Sequence, residues 1–250
     1  MLGACTAANA AEVTPRPGRA PHTPAPVGAQ TASARGVFYD LAKHRDHAEL
    51  RLGKTLLIDL GTQAAAKYTL GGWNTHVRAG VELDGVSAAL VSGSFGDVIV
   101  PLAEPGRRVI RVRARAARDG SLVAYLGEQV VGRFKGKPDA FSVFEIEVPD
   151  AIERGEQLLR LRGSGIGRIG PHESAVAIDW ITVGDGSAVP DSLPALGGSG
   201  ASVSVPQGLN LGFGLRVPAG ARLSANVQGA GAKLAVLATD DSLRRSPLGE

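Results

Sequence analysis

Apolar and polar residues alternate from Lys54 onward, in short segments separated by turn residues. A period of two places successive side chains on opposite faces of a strand, so the pattern predicts half-buried β-strands. Ten strands are predicted: Thr55–Leu60, His76–Leu83, Val86–Ser92, Asp97–Leu102, Val109–Arg115, Leu122–Leu126, Gln129–Phe134, Ser142–Val148, Gln157–Arg162 and Ala175–Val183. Asp-Gly pairs at 84–85, 119–120 and 185–186 predict tight turns, because glycine adopts the positive φ that such turns need.

One short helix is predicted from Val37 to about Leu52, since Phe38, Leu41 and Ala42 fall on one side of a helix. Many strands with so little helix argue against a parallel α/β sheet, in which a crossover helix joins successive strands. About ten strands in about 130 residues favour an all-β fold, an antiparallel jelly-roll β-sandwich over residues 37–184.

The chain after this sandwich divides into a linker and a second strand-rich region. Residues 185–202 are rich in Gly, Ser and Pro, which predicts a linker. Alternation then predicts three further strands, Leu209–Val217, Leu223–Val227 and Leu234–Ala238. Residues 203–250 are too few for a complete two-sheet core. We therefore expect an incomplete second β-sandwich, and a catalytic domain continuing beyond Glu250.

The first 36 residues predict a disordered tether, because residues 6–36 hold five prolines and almost no large apolar side chains. The residues before Cys5, Leu2-Gly3-Ala4, resemble a bacterial lipobox, whose cysteine becomes lipidated. The charged start and apolar segment of a secretory signal are missing before it. A lipoprotein exported to the cell envelope is one interpretation of Cys5, and an inert tail cysteine is the other. A single cysteine excludes an intramolecular disulfide.

Hydropathy and charge limit the classes of partner that we expect the chain to bind. No apolar run approaches the roughly 18 residues of a membrane-spanning helix, so the only membrane contact expected is a lipid anchor. The net charge is +3 without a concentrated basic segment, so no nucleic-acid partner is expected.

No motif predicts a cofactor, a metal or a catalytic residue. The chain has no Gly-x-Ser-x-Gly elbow. Gly165–Gly170 has dinucleotide-motif spacing, but Pro171 and a strand follow it instead of a helix. His44 and His47 would share a helix face, but a metal site would need a third ligand such as Glu49.

Charged residues alternate with apolar ones in several predicted strands. Arg111, Arg113 and Arg115 oppose the apolar side of one strand, and Glu145 and Glu147 oppose that of another. Arg160 and Arg162 repeat the pattern beside Leu159 and Leu161. We interpret these rows as cross-strand ion pairs. The alternative is a jelly-roll lyase or glycosidase whose carboxylates converge across strands.

A sugar-binding site needs aromatic rings for stacking and polar groups for the hydroxyls. The chain has only eleven aromatic residues. The stretch 67–76 combines both types in a loop-like context, so the candidate glycan-binding residues are Tyr68, Trp73, Asn74 and His76. The alternative is that Tyr68 and Trp73 close one end of the sandwich.

Three stretches carry a resemblance to known families: Leu57–Thr62 leading to Trp73, Phe144–Pro149 followed by Leu159–Leu161, and Ala175–Val183. The last two resemble the final strands of galactose-binding-like jelly rolls. Residues 37–250 are similar to the non-catalytic β-sandwich region of exported bacterial sulfatases, especially lipoprotein ones.

The resemblance implies an accessory module that spaces a catalytic domain from the membrane and presents a surface to a glycan. The Cys/Ser-x-Pro-x-Arg motif of sulfatases is absent, so no catalytic residue carries over. Two alternatives stay open: the jelly-roll lyase or glycosidase, and a structural adhesion or assembly module.

Overall fold

A computed structural model describes residues 39–69, 77–102 and 108–187 and shorter stretches beyond: 189, 193, 196–200, 202–213, 215, 220–226, 228–229, 236–239 and 245–249. The chain forms two units, Met1–Tyr39 and Asp40–Glu250, and all strands and helices below belong to the second. The predicted tether and Cys5 lie outside the described residues.

Strands form where the alternation predicts them. In chain order they are β1 Glu49–Leu52, β2 Thr55–Asp59, β3 Val77–Leu83, β4 Val86–Val91, β5 Phe95–Leu102, β6 Val109–Ala116, β7 Ser121–Leu126, β8 Gln129–Lys135, β9 Ser142–Glu147, β10 Gly155–Gly163, β11 Gly167–Ile169, β12 His172–Ser174, β13 Val176–Gly184, β14 Leu209–Gly212, β15 Val236–Thr239 and β16 Arg245–Gly249. Two short 3₁₀ helices lie within the described ranges, Arg45–His47 and Gln63–Tyr68. The ten predicted strands are β2 to β10 and β13.

The large sheet is centred on β13. β6 pairs along one edge of β13, while β4 and β2 share the other edge, next to Ala177–Ile178 and Trp180–Val183 respectively. β9 lies outside β6, β3 outside β4, and β1 and β14 outside β2. Every one of these pairs is antiparallel.

The small sheet has four antiparallel strands in the order β5-β10-β7-β8. Alternate residues of both sheets point into one buried core, which joins Val112 and Ile178 of the large sheet to Val98, Leu122 and Leu159 of the small sheet. Burial of these apolar side chains is the main force that holds the layers together. The predicted all-β antiparallel sandwich is confirmed.

The predicted helix from Val37 to about Leu52 is wrong over the described residues. A 3₁₀ turn spans Arg45–His47, and Glu49–Leu52 forms β1. β1 hydrogen-bonds to β2 on one side and to β14 on the other. Pairing with two neighbours outweighs a weak local preference for helix.

The region after the predicted linker contributes to the large sheet. Leu209–Gly212, which lies within the predicted second sandwich, forms β14 and pairs with β1. The strand predicted at Leu223–Val227 is wrong over its described residues, since 223–226 form no strand and Leu223 is 53% exposed. Alternation yields a strand only where a neighbour supplies backbone hydrogen bonds. The division into a first and a second sandwich stays a prediction.

The predicted turn between β3 and β4 is confirmed. Asp84 and Gly85 have φ of 52° and 79° and join the two strands as a two-residue hairpin loop. Successive positive φ values match the twist of the flanking strands, and glycine accepts such values without strain.

Candidate functional site

The predicted loop site lies mostly outside the described residues, because Trp73, Asn74 and His76 fall within 70–76. Tyr68 ends the second 3₁₀ helix, is 8% exposed and belongs to the core. Its hydroxyl has no hydrogen-bond partner among the described residues. Burial raises the pKa of Tyr68, so the phenol stays protonated. The loop site therefore stays a prediction.

A second surface is formed by the outward side chains of β5, β10, β7 and β8, which we call the small-sheet face. Strand register places eight of them in two rows that cross all four strands. The first row is Phe95, Arg162, Val123 and Arg133, and the second is Asp97, Arg160, Tyr125 and Val130. All eight side chains are half-buried or exposed. Four strands at the usual spacing make each row about 14 Å long.

Arg160 is held at the centre of this face by two neighbours. Its Nε and Nη2 donate hydrogen bonds to Oδ1 and Oδ2 of Asp97, at 2.7 and 2.8 Å. Its guanidinium carbon lies 4.4 Å from the ring centroid of Phe95. Hydrogen bonding to Asp97 raises the pKa of Arg160 further above its usual range. The fork geometry and the stacked ring fix the guanidinium plane before any ligand arrives.

Apolar groups surround this charged pair. Tyr125 neighbours Arg160 on β7 and is half-buried. Val130, its partner on β8, is 40% exposed, and Val123 is half-buried on the same face. An aromatic ring beside oriented donors and acceptors is the combination that amphipathic small ligands require.

The large sheet carries its own row of arginines on its outward side, and all three have partners. These are Glu145 and the carbonyl oxygens of Gly186 and Ser187 for Arg111, Asp179 for Arg113, and Asp84 and the carbonyl oxygen of Pro138 for Arg115. The predicted ion pairing of this row is confirmed by the Arg111 to Glu145 bond of 2.8 Å between β6 and β9. On this sheet the arginines act as structural links.

Two carboxyl groups on the adjacent strands β2 and β13 have raised pKa values. Burial raises the pKa of Asp179, although Arg113 opposes the shift. Burial also raises the pKa of Asp59, where the N–H of Gly61 opposes the shift and the charge of Asp179 adds to it. Asp179 thus has a structural partner within the sheet, and Asp59 has one in the turn that follows β2.

The structure also bears on the candidate metal-binding and dinucleotide-binding motifs. Among the described residues, no three His, Cys, Asp or Glu side chains come together as a metal site requires. Gly165–Gly170 contains β11 and the start of the turn into β12, so its glycines do not open a helix that could bind a pyrophosphate. Within the part of the chain that the structure describes, no helix is long and apolar enough to cross a membrane.

Sequence reasoning missed the small-sheet face, although it recognised the alternating Arg160 and Arg162. Asp97 and Tyr125 lie far from Arg160 in sequence and meet it through the strand order β5-β10-β7. The sequence held one indication of this face. The polar Asp97 lies between the outward Phe95 and Ile99 in a strand that is otherwise apolar.

No protein-family profile matches the chain, and no curated protein sequence matches it. Some solved structures are similar to part of the chain. The CBM36-1 domain of a multidomain xylanase from the hindgut metagenome of Trinervitermes trinervoides has 15% identity and a TM-score of 0.35, over 54% of this chain and 99% of that domain.

Two further structures resemble part of the chain. The carbohydrate-binding module CBM6cm-2 of Cellvibrio mixtus lichenase 5A, in complex with cellotriose, has 12% identity and a TM-score of 0.30, over 51% of this chain and 95% of that module. The Podospora anserina GH26-CBM35 β-(1,4)-mannanase has 15% identity and a TM-score of 0.36, over 56% of this chain and 29% of that enzyme. The sandwich assignment for this chain rests on its own strand pairing.

Proposed function

We propose that the chain is a non-catalytic carbohydrate-binding β-sandwich and that the small-sheet face binds the glycan. The observation that carries the proposal is the Asp97–Arg160 pair, which is oriented in advance beside the ring of Phe95 and lies next to Tyr125 in the strand register. Preorganised polar groups beside an aromatic ring bind with a small entropic cost.

The chemistry of the face fits a sugar ring. Tyr125 offers a flat apolar surface to the carbon-bound hydrogens of a pyranose. The pair with Asp97 uses Nε and Nη2 of Arg160, which leaves Nη1 to donate a hydrogen bond to a sugar hydroxyl. Asp97 oxygens have further lone pairs that accept from hydroxyl groups. Neither group forms or breaks a covalent bond in this role.

Isothermal titration calorimetry with a panel of soluble oligosaccharides tests the proposal. We expect Tyr125→Ala to weaken binding about tenfold or more, because a buried aromatic contact contributes about 1.5–3 kcal/mol. Tyr125→Phe keeps the ring and is the matched control, for which we expect nearly unchanged affinity. Absence of heat with every glycan, or equal affinity of the alanine variant, would refute this role.

The wider context is also a proposal, and it rests on sequence alone. We propose that the module belongs to an exported bacterial sulfatase-type hydrolase, with Cys5 as a lipid attachment point. Mass spectrometry of the protein purified from its native host would show the added acyl mass at Cys5. The coding sequence downstream of Glu250 would contain a formylglycine-type Cys/Ser-x-Pro-x-Arg motif.

A further inference from the structure

We propose that the glycan recognised by the small-sheet face is anionic, a polysaccharide that carries carboxylate or sulfate groups. This inference rests on the proposed function and specifies its ligand class. Its basis is an imbalance of charge: the two rows contain three guanidinium groups, Arg133, Arg160 and Arg162, but one carboxylate, Asp97.

Two of the three arginines have no ion-pair partner among the described residues. Arg160 is neutralised by Asp97, whereas Arg133 and Arg162 are exposed and form no ion pair with any described residue. Glu156 on β10 lies farther along its strand, beside Pro101, outside both rows. Two positive charges therefore face solvent on this surface.

The contrast with the large sheet shows that structural pairing does not explain these two residues. There Arg111, Arg113 and Arg115 each bind a carboxylate. In the small sheet, the positions next to Arg162 hold Phe95 and Val123, and Arg133 also neighbours Val123. None of these neighbours has a carboxylate that could form a salt bridge with an arginine.

The spacing of the two charges suits a polymer with repeated anionic groups. Arg162 and Arg133 share a row and are separated by one strand, which places their Cα atoms about 10 Å apart. Guanidinium groups bind carboxylate and sulfate oxygens through paired donors. Tyr125 and Arg160 in the next row hold the sugar ring between them in the proposed mode. An acidic glycan would thus bind the two arginines of the first row through its anionic groups, and Tyr125 and Arg160 of the second row through its sugar ring.

Calorimetry with two matched ligand pairs tests the inference: hexameric oligogalacturonate against its methyl-esterified form, and dextran sulfate against dextran. We expect the charged member of at least one pair to bind about tenfold tighter or more at low salt, with the difference shrinking as salt rises. A preference confined to the first pair identifies a carboxylate ligand, and one confined to the second identifies a sulfate ligand; both support the inference.

Substitutions at Arg133 and Arg162 separate their contribution to binding from that of Tyr125 and Arg160. Arg133→Gln/Arg162→Gln should lose the preference for charged ligands and keep the affinity for neutral ones, since Tyr125 and Arg160 are unchanged. Arg154→Gln is the control for charge, because Arg154 is exposed and lies before β10, about 20 Å along the chain from Arg160. Circular dichroism confirms folding, and the single variants Arg133→Gln and Arg162→Gln provide the same comparison if the double variant is unstable.

The remaining outcomes overturn the inference in distinguishable ways. Equal affinity for charged and neutral members would refute it and leave the proposed glycan binding intact. Absence of heat with all four ligands and with the neutral oligosaccharide panel would refute both. A single-stranded DNA oligomer bound as tightly as the best glycan would show a general polyanion surface instead of a glycan site.

Discussion

At the scale of single residues, the end of β2 is under unusual constraint. Asp59 is the last residue of the strand and accepts a hydrogen bond from the N–H of Gly61, at 3.0 Å. The carbonyl of Gly61 in turn accepts a bond from Ser87 Oγ, at 3.1 Å. The turn after β2 is thereby bound tightly to the beginning of β4, so small changes at Asp59 and Gly61 have measurable effects.

Gly61 is required because the backbone of Ser87 passes so close to it. A Cβ at Gly61 would lie 2.3 Å from the Ser87 carbonyl oxygen, so β4 would have to move. We expect Gly61→Ala to lower the free energy of unfolding by about 1–3 kcal/mol, measured by urea denaturation. Gly212→Ala is the control, since its Cβ would have its nearest contact at 3.4 Å. Equal effects of the two substitutions would contradict the steric explanation.

Asp59→Asn should change the pH dependence of stability. Burial raises the pKa of Asp59, so the folded state holds its proton at a pH where the unfolded chain, with a pKa of about 3.9, has released it. Stability contributed by this group therefore falls as pH rises above about 4. We expect Asp59→Asn to be more favourable relative to wild type at pH 7 than at pH 4, in denaturation curves at both values. A difference independent of pH would contradict the burial argument.

At the scale of elements, a side chain of β6 connects the large sheet to the segment that follows β13. Arg111 on β6 binds Glu145 of β9 and donates to the carbonyl oxygens of Gly186 and Ser187 just after β13. One side chain therefore fixes the end of the sandwich where the predicted linker starts. Of the other arginines of β6, Arg113 binds Asp179 of β13, and Arg115 binds Asp84 in the β3–β4 turn and the carbonyl oxygen of Pro138.

Arg111→Ala should loosen this connection. We expect a loss of about 1–2 kcal/mol in the free energy of unfolding, together with faster amide hydrogen exchange around Ser187. Glu145→Gln removes the exposed ion pair and leaves the two carbonyl contacts of Arg111 in place, so it should cost less than about 1 kcal/mol. If the two variants had the same exchange rate at Ser187, the carbonyl contacts of Arg111 would not anchor this segment.

At the scale of the whole molecule, alternation predicted the ten strands that build most of the core, because several of them, such as β3, β5, β7 and β9, bury every second side chain in a two-layer sandwich. A strand beginning at Leu209 was predicted and forms β14, whereas β1 was predicted as helix. The pairing of Leu50 with Leu211 was not predicted, because the two residues lie far apart in sequence. The small-sheet face was missed for the same reason. A one-dimensional pattern tells which side of a strand is outward but does not tell which outward side chains become neighbours.

β14 also determines how the large sheet ends. It covers the side of β1 that faces away from β2, so the amide and carbonyl groups of β1 bond within the molecule. A bare strand at such an edge is a template for pairing between molecules. Truncating the chain before Leu209 would uncover β1 and favour self-association, so a soluble minimal module has to extend through Gly212.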